Sequence, residues 1–216
     1  AKRKFIADTY LPNRLLLGVG KLEELKTAKL PVKKALIFIT DDQLMQRLGI
    51  LDRVQALLRE NGTDFEVFDK VKPNPTLGMV REAARLAKAS NCDFVIGLGG
   101  GRSIDTAKAT AIMMVNEGDL WDYASLGTGG RKEFTDAAPI VTISTTCGTG
   151  TESDPFAVIT NEETHEKLDF AVEPLFPALS IIDPELMKSL PKTLTIFKGF
   201  DALFHNAECY VGNGHM

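Results

Sequence analysis

Three consecutive glycines, Gly99, Gly100 and Gly101, lie where an apolar run ends and a helical pattern begins. A glycine loop at the start of a helix can hold a phosphate, because backbone N–H groups and the positive end of the helix dipole point at the ligand. A side chain there would keep the backbone from approaching the ligand closely. The usual dinucleotide fingerprint is incomplete, since Arg102 takes the place of its third glycine. The loop by itself therefore leaves a pyrophosphate site and an ordinary tight turn open.

A second polar loop, residues 145–152 (TTCGTGTE), follows another predicted strand. Its hydroxyl groups and glycines would lie at the carboxyl end of that strand, which is the edge where open α/β sheets bind ligands. Taken alone, the segment also fits an ordinary loop rich in serine and threonine.

Two charged residues, Asp105 and Lys108, lie three positions apart on the helix that follows the glycines. This spacing puts them on one face of the helix, and the simplest interpretation is a surface ion pair.

One carboxylate, Asp41, comes directly after the predicted strand at residues 33–40. There it could accept a hydrogen bond from a ribose hydroxyl group and repel an added 2′-phosphate. The alternative is a helix N-cap, which Asp41 or Asp42 would fill equally well.

Two candidate metal ligands, Asp201 and His205, lie four positions apart on a predicted helix. Both side chains point to one side of that helix and could bind one divalent ion. A hydrogen bond on the helix surface is the alternative. We assign no role to His165, in a charged turn, or to His215, near the last residue.

The elements that must position these residues follow an α/β pattern. From residue 33, short β-rich runs alternate with longer helical patterns, which is typical of a parallel sheet covered by helices. The predicted strands are residues 33–40, 65–71, 92–98, 139–146 and 179–182, with a small hairpin formed by 156–160 and 168–172. Residues 118–137, rich in glycine and charge, are predicted to form a long surface loop.

The pattern changes after Pro191, where residues 194–210 are helical and no strand follows. We therefore predict two domains: an α/β domain with a mainly parallel sheet at residues 1–185, and the first helix of a second domain at residues 186–216.

Composition narrows the class of protein. A chain of 216 residues, 44% of them hydrophobic, can bury a full core. A net charge of −4 without a long block of one sign argues against nucleic-acid or anionic-membrane partners. No apolar run is long enough to span a membrane, and we expect a cytoplasmic protein. The three cysteines lack paired spacing and are expected to be reduced thiols, mostly packed.

Taken in order, residues 99–108 (GGGRSIDTAK), 145–152 and 201–205 (DALFH) resemble the iron-containing, group III alcohol dehydrogenases. Residues 73–76 (PNPT) fit the same family, and the similarity extends from Leu15 onward. The resemblance implies a dinucleotide-binding α/β domain followed by an all-helical domain, with a divalent metal in the cleft between them. Iron is the expected metal and zinc the alternative.

The resemblance also implies a reaction and its partners. Hydride would pass between NAD, with NADP as the alternative cofactor, and a small alcohol or aldehyde, while the metal polarises the substrate oxygen. A homo-oligomer is expected.

Carried onto this sequence, the resemblance places the pyrophosphate on the glycine loop and Ser103, and the nicotinamide beside the second loop. Asp41 matches a ribose-sensing position, Asn74 a cofactor-side turn, and Lys167 a lysine that reaches the ribose. The implied cofactor-binding residues are Asp41, Asn74, Gly99, Gly100, Gly101, Arg102, Ser103, Asp105, Thr145, Thr146, Thr149 and Lys167. Asp201 and His205 match the first two of four metal ligands, one Asp and three His.

Two departures from the family pattern bear on these expectations. Arg102 stands where the family usually has serine, and its charge would weaken the preference of Asp41 against a 2′-phosphate. The later two metal histidines have no counterpart, so we expect these 216 residues alone to turn over little or no substrate. The alternatives are a non-catalytic nucleotide-binding fragment and a relative of glycerol dehydrogenase or dehydroquinate synthase, which residues 201–205 disfavour.

Overall fold

A parallel sheet forms the centre of the protein. The computed structural model describes residues 12–31, 33–134 and 136–212. Within these ranges the strands are β1 (Arg14–Leu17), β2 (Lys34–Thr40), β3 (Asp64–Val71), β4 (Phe94–Gly99), β5 (Ile140–Ser144), β6 (Phe156–Asn161), β7 (Glu166–Ala171) and β8 (Leu179–Ile182). Six of them form one sheet in the order β1-β8-β5-β4-β2-β3, and all neighbours are parallel. The predicted fold class is therefore confirmed.

Helices cover both faces of this sheet. The α-helices of the described residues are α1 (Leu44–Arg47), α2 (Ile50–Asn61), α3 (Leu77–Ala89), α4 (Gly101–Val115) and α5 (Lys192–Val211). Alternate residues of β2 face opposite sides: Leu36 and Phe38 pack with α3 and α4, whereas Ile37 packs with α2. Burial on both faces explains why the parallel strands appear in the sequence as continuous apolar runs.

The strand order contains a switch point between β2 and β4. The chain leaves β2 toward β3 on one side of the sheet, and leaves β4 toward β5 on the other. In open α/β sheets a crevice forms outside the carboxyl ends of two such strands, and ligands bind there. Residues 41–42 follow β2 and residues 100–102 follow β4, so both flank this crevice.

Three features differ from the sequence-based expectations. Strand β1, which pairs with β8, was not predicted. Residues 118–137 are not simply a surface loop, because they include a 3-10 turn, Leu120–Tyr123, that buries Trp121 in the core. The cysteines are free, as expected, but Cys147 and Cys209 are exposed rather than packed. The predicted hairpin is confirmed as the antiparallel pair β6 and β7.

Helix α5 carries an exposed apolar surface. None of its residues is buried, and Phe197, Phe200 and Phe204 are each more than half exposed. Every helix in the described ranges is too short or too polar to be a membrane-spanning segment. The domain boundary near residue 185 stays a prediction. His215 lies outside the described residues.

Candidate functional site

The glycine loop connects β4 directly to α4. Gly99 has a φ of 141°, which side-chain-bearing residues rarely adopt, and a Cβ atom there would lie 2.9 Å from the Oγ atom of Ser103. The chain therefore turns sharply from the strand into the first turn of the helix. This turn places the side chain of Ser103 next to Gly99.

Ser103 has an unusual environment. Its side chain is buried, and its Oγ atom has no hydrogen-bond partner among the described residues. The N-cap position, Gly100, supplies no side-chain cap to the helix, and the first turn contains no acidic residue. Arg102 adds a positive charge at the same end. An uncapped helix start with an unpartnered buried hydroxyl group fits a phosphate oxygen.

The second polar loop packs directly on the first. The Thr145 N–H group donates to the Gly99 carbonyl oxygen at 2.9 Å. A Cβ atom on Gly100 would lie 2.9 Å from the Oγ1 atom of Thr146, and one on Gly101 would lie 3.3 Å from that of Thr149. The glycines are thus needed for contact between the two loops even without a ligand, whereas the sequence suggested only close approach to a ligand.

The two aspartates after β2 have different roles. The Oδ1 atom of Asp42 accepts hydrogen bonds from the Thr40 hydroxyl group at 2.6 Å and the Leu44 N–H group at 3.0 Å. Burial raises the pKa of Asp42, whereas these hydrogen bonds lower it. The positive charge of Arg102 also lowers it, and the net pKa lies below its ordinary value. Asp42 therefore fills the local capping role, and the side chain of Asp41 is exposed at the crevice.

The predicted surface ion pair of Asp105 and Lys108 is wrong. The side chain of Lys108 is fully buried, and its Nζ atom lies 3.0 Å from the Oδ1 atom of Asp154. Asp105 accepts hydrogen bonds from the Thr151 hydroxyl group at 2.8 Å and the Val158 N–H group at 3.4 Å. Burial raises the pKa of Asp105 to about 6, against the opposing effects of Thr151 and Lys108. Both residues thus support the second loop and the start of the hairpin from helix α4.

Asn74 and Lys167 lie on segments that adjoin opposite sides of strand β6. Asn74 is exposed, with a φ of 55°, in the turn between β3 and α3. Two residues later, Thr76 forms a parallel bridge with Thr160, which is paired with Lys167 across β6 and β7. The structure therefore separates the turn from the lysine by one strand.

Asp201 and His205 share one face of α5. The Oδ1 atom of Asp201 lies 3.5 Å from the Nε2 atom of His205, and its Oδ2 atom lies 3.3 Å from the Nζ atom of Lys198. A Cβ atom on Gly148 would lie 3.1 Å from Asp201 Oδ2, so this pair adjoins the second loop. No group of three or more His, Cys, Asp or Glu side chains suited to a metal occurs in the described ranges. The pair can supply two ligands to a divalent ion.

Two cavities in the described part of the chain lie away from this site. One, of about 470 Å³, lies between the segment that contains Tyr123 and Phe134 and strand β7. Another, of about 240 Å³, lies beside Arg81 and Leu120. We favour the carboxyl edge of the sheet as the functional site, because the unpartnered hydroxyl group and the uncapped helix start are there and not at either cavity.

Sequence reasoning did not identify Thr151 and Asp154 as part of the site. Thr151 belongs to the second polar loop, residues 145–152, but its position in the sequence does not indicate that it meets Asp105 and Lys108, which are more than forty positions away. Such long-range contacts carry no local signature.

Comparison with known proteins identifies relatives of the chain. The family model described as iron-containing alcohol dehydrogenase matches residues 12–184. Alcohol dehydrogenase 4 of Schizosaccharomyces pombe is 37% identical over 95% of this chain and 48% of the yeast protein. The NAD-dependent methanol dehydrogenase of Bacillus methanolicus is 36% identical over 97% of this chain and 54% of that protein. The chain spans about half the length of these curated relatives.

Solved structures agree with this match. The crystal structure of NADH-dependent butanol dehydrogenase A from Thermotoga maritima has a TM-score of 0.86 and 34% sequence identity to the chain. The similarity covers 95% of this chain and 50% of that one. The fold of the chain is thus shared with about half of a longer protein.

Proposed function

This chain belongs to the iron-containing alcohol dehydrogenase family, and from that premise we propose that it carries the dinucleotide-binding part of a metal-dependent, NAD(P)-linked alcohol dehydrogenase. The proposed reaction is hydride transfer between the nicotinamide and a small alcohol or aldehyde. NAD is the proposed cofactor and NADP the alternative.

One observation carries the proposal: the buried Oγ atom of Ser103, at the uncapped start of α4, has no hydrogen-bond partner among the residues that the structure describes. A buried hydroxyl group without a hydrogen bond costs folding free energy, so a ligand oxygen that satisfies it would bind favourably. A pyrophosphate on Gly99, Gly100 and Gly101 would supply such an oxygen. Arg102 and the helix dipole add positive potential at the same place.

The remaining cofactor contacts are proposed from their positions around this loop. Thr145, Thr146 and Thr149 face the glycines and would line the nicotinamide side. The carboxylate of Asp42 already accepts local hydrogen bonds. The carboxylate of Asp41 would therefore accept the hydrogen bond from a hydroxyl group of the adenosine ribose. Asn74, in the turn before α3, would lie on the cofactor side, and Lys167, on β7, would reach the ribose.

We propose Asp201 and His205 as two ligands of a divalent metal, with iron first and zinc second. When bound, such an ion polarises the alcohol or aldehyde oxygen. A catalytic site usually fixes three or more protein ligands, whereas the described residues place two together. This shortage supports a second candidate function for the 216 residues by themselves, which is nucleotide binding without turnover.

A titration of the purified chain with NADH, followed by cofactor fluorescence, tests the cofactor site. We expect saturable binding that weakens roughly tenfold in Ser103→Ala, the size of one lost hydrogen bond to a charged group. Ser90→Ala, which removes a hydroxyl group at the C-terminal end of α3, is the matched control. Failure of the wild-type chain to bind NADH, or equal affinity of Ser103→Ala and wild type, would contradict the proposal.

Activity separates the two candidate functions. Alcohol-dependent reduction of NAD⁺ with added Fe²⁺ or Zn²⁺ is measured on the same preparation. Turnover that depends on the metal supports the dehydrogenase, and NADH binding without turnover supports the nucleotide-binding module.

A homo-oligomeric state and a domain boundary near residue 185 are further proposals. Sedimentation tests the first, and limited proteolysis tests the second.

A further inference from the structure

A buried lysine lies behind the second loop. The Nζ atom of Lys108 donates to the carbonyl oxygens of Thr151, Asp154 and Phe156 at 2.7, 2.7 and 3.0 Å. It also lies 3.1 Å from the Thr151 hydroxyl group and 3.0 Å from the Asp154 carboxylate. One ammonium group is thus surrounded by five oxygen atoms, all of which belong to the segment of residues 151–156.

The Thr151 hydroxyl group joins this lysine to Asp105. It accepts from Lys108 Nζ and donates to Asp105 Oδ1 at 2.8 Å. Asp105 and Lys108 are about one turn apart on α4, so two residues on one face of the same helix hold the Thr151 hydroxyl group between them. Additional support for the same segment comes from Ser180, whose hydroxyl group donates to the Glu152 carbonyl oxygen at 2.5 Å.

Helix α4 is therefore connected to both loops of the candidate site. Its first residue, Gly101, belongs to the glycine loop, and Lys108 follows about two turns, or roughly 10 Å, further along the axis. At that distance Lys108 does not reach a ligand on the glycine loop. It acts on the site through the segment that it holds.

The environment of Lys108 also excludes a direct chemical role. Burial lowers its pKa, while the charge and hydrogen bond of Asp154 act in the opposite direction. All its neighbours within hydrogen-bond distance are oxygen acceptors, and the side chain is not exposed to substrate or solvent. An ammonium group that is enclosed in this way fixes the positions of the oxygen atoms around it.

We propose that Lys108 is a positioning residue, which through Thr151 and Asp154 holds Thr146 and Thr149 against the glycine loop and so sets the affinity for the nicotinamide half of the cofactor. This inference rests on the proposed function, because it assigns the second loop to that half of the dinucleotide. In this assignment the adenosine diphosphate half lies on the glycine loop and Asp41, which directly follow β4 and β2, whereas the Nζ atom of Lys108 donates to residues of the segment 151–156.

The test compares NADH with ADP, a probe that lacks the nicotinamide half. In Lys108→Met the NADH dissociation constant is expected to rise about tenfold, while the ADP dissociation constant stays within about twofold of wild type. A merely structural loss of stability would weaken both ligands together. Asp154→Asn keeps the backbone acceptors and is the milder second variant, which decides the matter if Lys108→Met does not fold.

Lys34→Met is the matched control, because Lys34 is a partly buried lysine with two acidic partners at the opposite, amino end of the sheet. It should bind both ligands as wild type does. Equal losses for NADH and ADP in the Lys108 and Asp154 variants, or no loss for NADH, would overturn the inference. If wild type binds neither ligand, the proposed function fails and the inference falls with it. If wild type binds both and the variants do not discriminate, only the inference fails.

Discussion

A Cβ atom on Gly100 would lie 2.9 Å from the Oγ1 atom of Thr146, so the two loops of the candidate site touch at a position where any side chain would force Thr146 to shift. Contact between these loops is a property of the free protein. It defines the shape that a cofactor would meet.

Substitution of Gly100 should therefore displace the second loop. Gly100→Ala is expected to weaken NADH binding roughly tenfold or more, since overpacking of a tight contact costs about 1–3 kcal/mol. Gly199→Ala is the control, because a Cβ atom there meets no atom within 4 Å. NADH titrations of both variants test the prediction, and an unchanged dissociation constant in folded Gly100→Ala would show that it is wrong.

Cofactor preference should depend on Asp41. Its exposed carboxylate at the end of β2 would repel a 2′-phosphate, so we expect NAD(H) to bind more tightly than NADP(H). Asp41→Asn should narrow the ratio of the two dissociation constants by roughly five- to tenfold, with Asp64→Asn, at the amino end of the sheet, as the control. Tighter binding of NADPH than NADH by wild type would contradict this assignment, and Arg102 would then dominate the choice.

Stability should change with pH because of Asp105. Burial raises its pKa from 3.8 to about 6 in the folded protein, so the folded state binds this proton more tightly than the unfolded chain. The resulting stabilisation is complete below pH 3.8 and is lost as the pH rises through about 6. Asp105→Asn, which cannot ionise, should lack this contribution.

Urea unfolding at about pH 4.5 and pH 7 measures the difference. Relative to Asp105→Asn, wild type should lose on the order of 2 kcal/mol of unfolding free energy between the two conditions. A constant difference at both pH values would mean that Asp105 ionises at its ordinary pKa.

Metal binding should be opposed by Lys198. Its Nζ atom lies 3.3 Å from Asp201 Oδ2 and competes with a cation for the same carboxylate. Lys198→Met is expected to tighten Zn²⁺ binding several-fold, whereas Asp201→Asn and His205→Ala should weaken it. Competition with a chromogenic chelator gives the affinities. Lys188→Met, which removes an exposed lysine of equal charge, is the control, and equal affinities of the two lysine variants would refute the role of Lys198.

The sequence by itself determined the features that depend on short-range spacing. The apolar run of β4 followed by Gly99 predicted a strand, a tight turn and a helix, and the structure contains all three. The i,i+4 spacing of Asp201 and His205 was enough to place them side by side. Such features follow from the 3.6-residue and two-residue periods of the backbone, which are already present in the chain.

Only the tertiary structure decided how these pieces meet. The order of the strands put the switch point between Asp41 and Gly99. The folding of the second loop onto the first placed Thr146 against Gly100. The burial of Lys108 turned the expected surface pair of Asp105 and Lys108 into an internal support. Each depends on contact between residues far apart in the chain. Their partners are selected by packing and by the need to satisfy buried polar groups, and neither leaves a pattern in the local sequence.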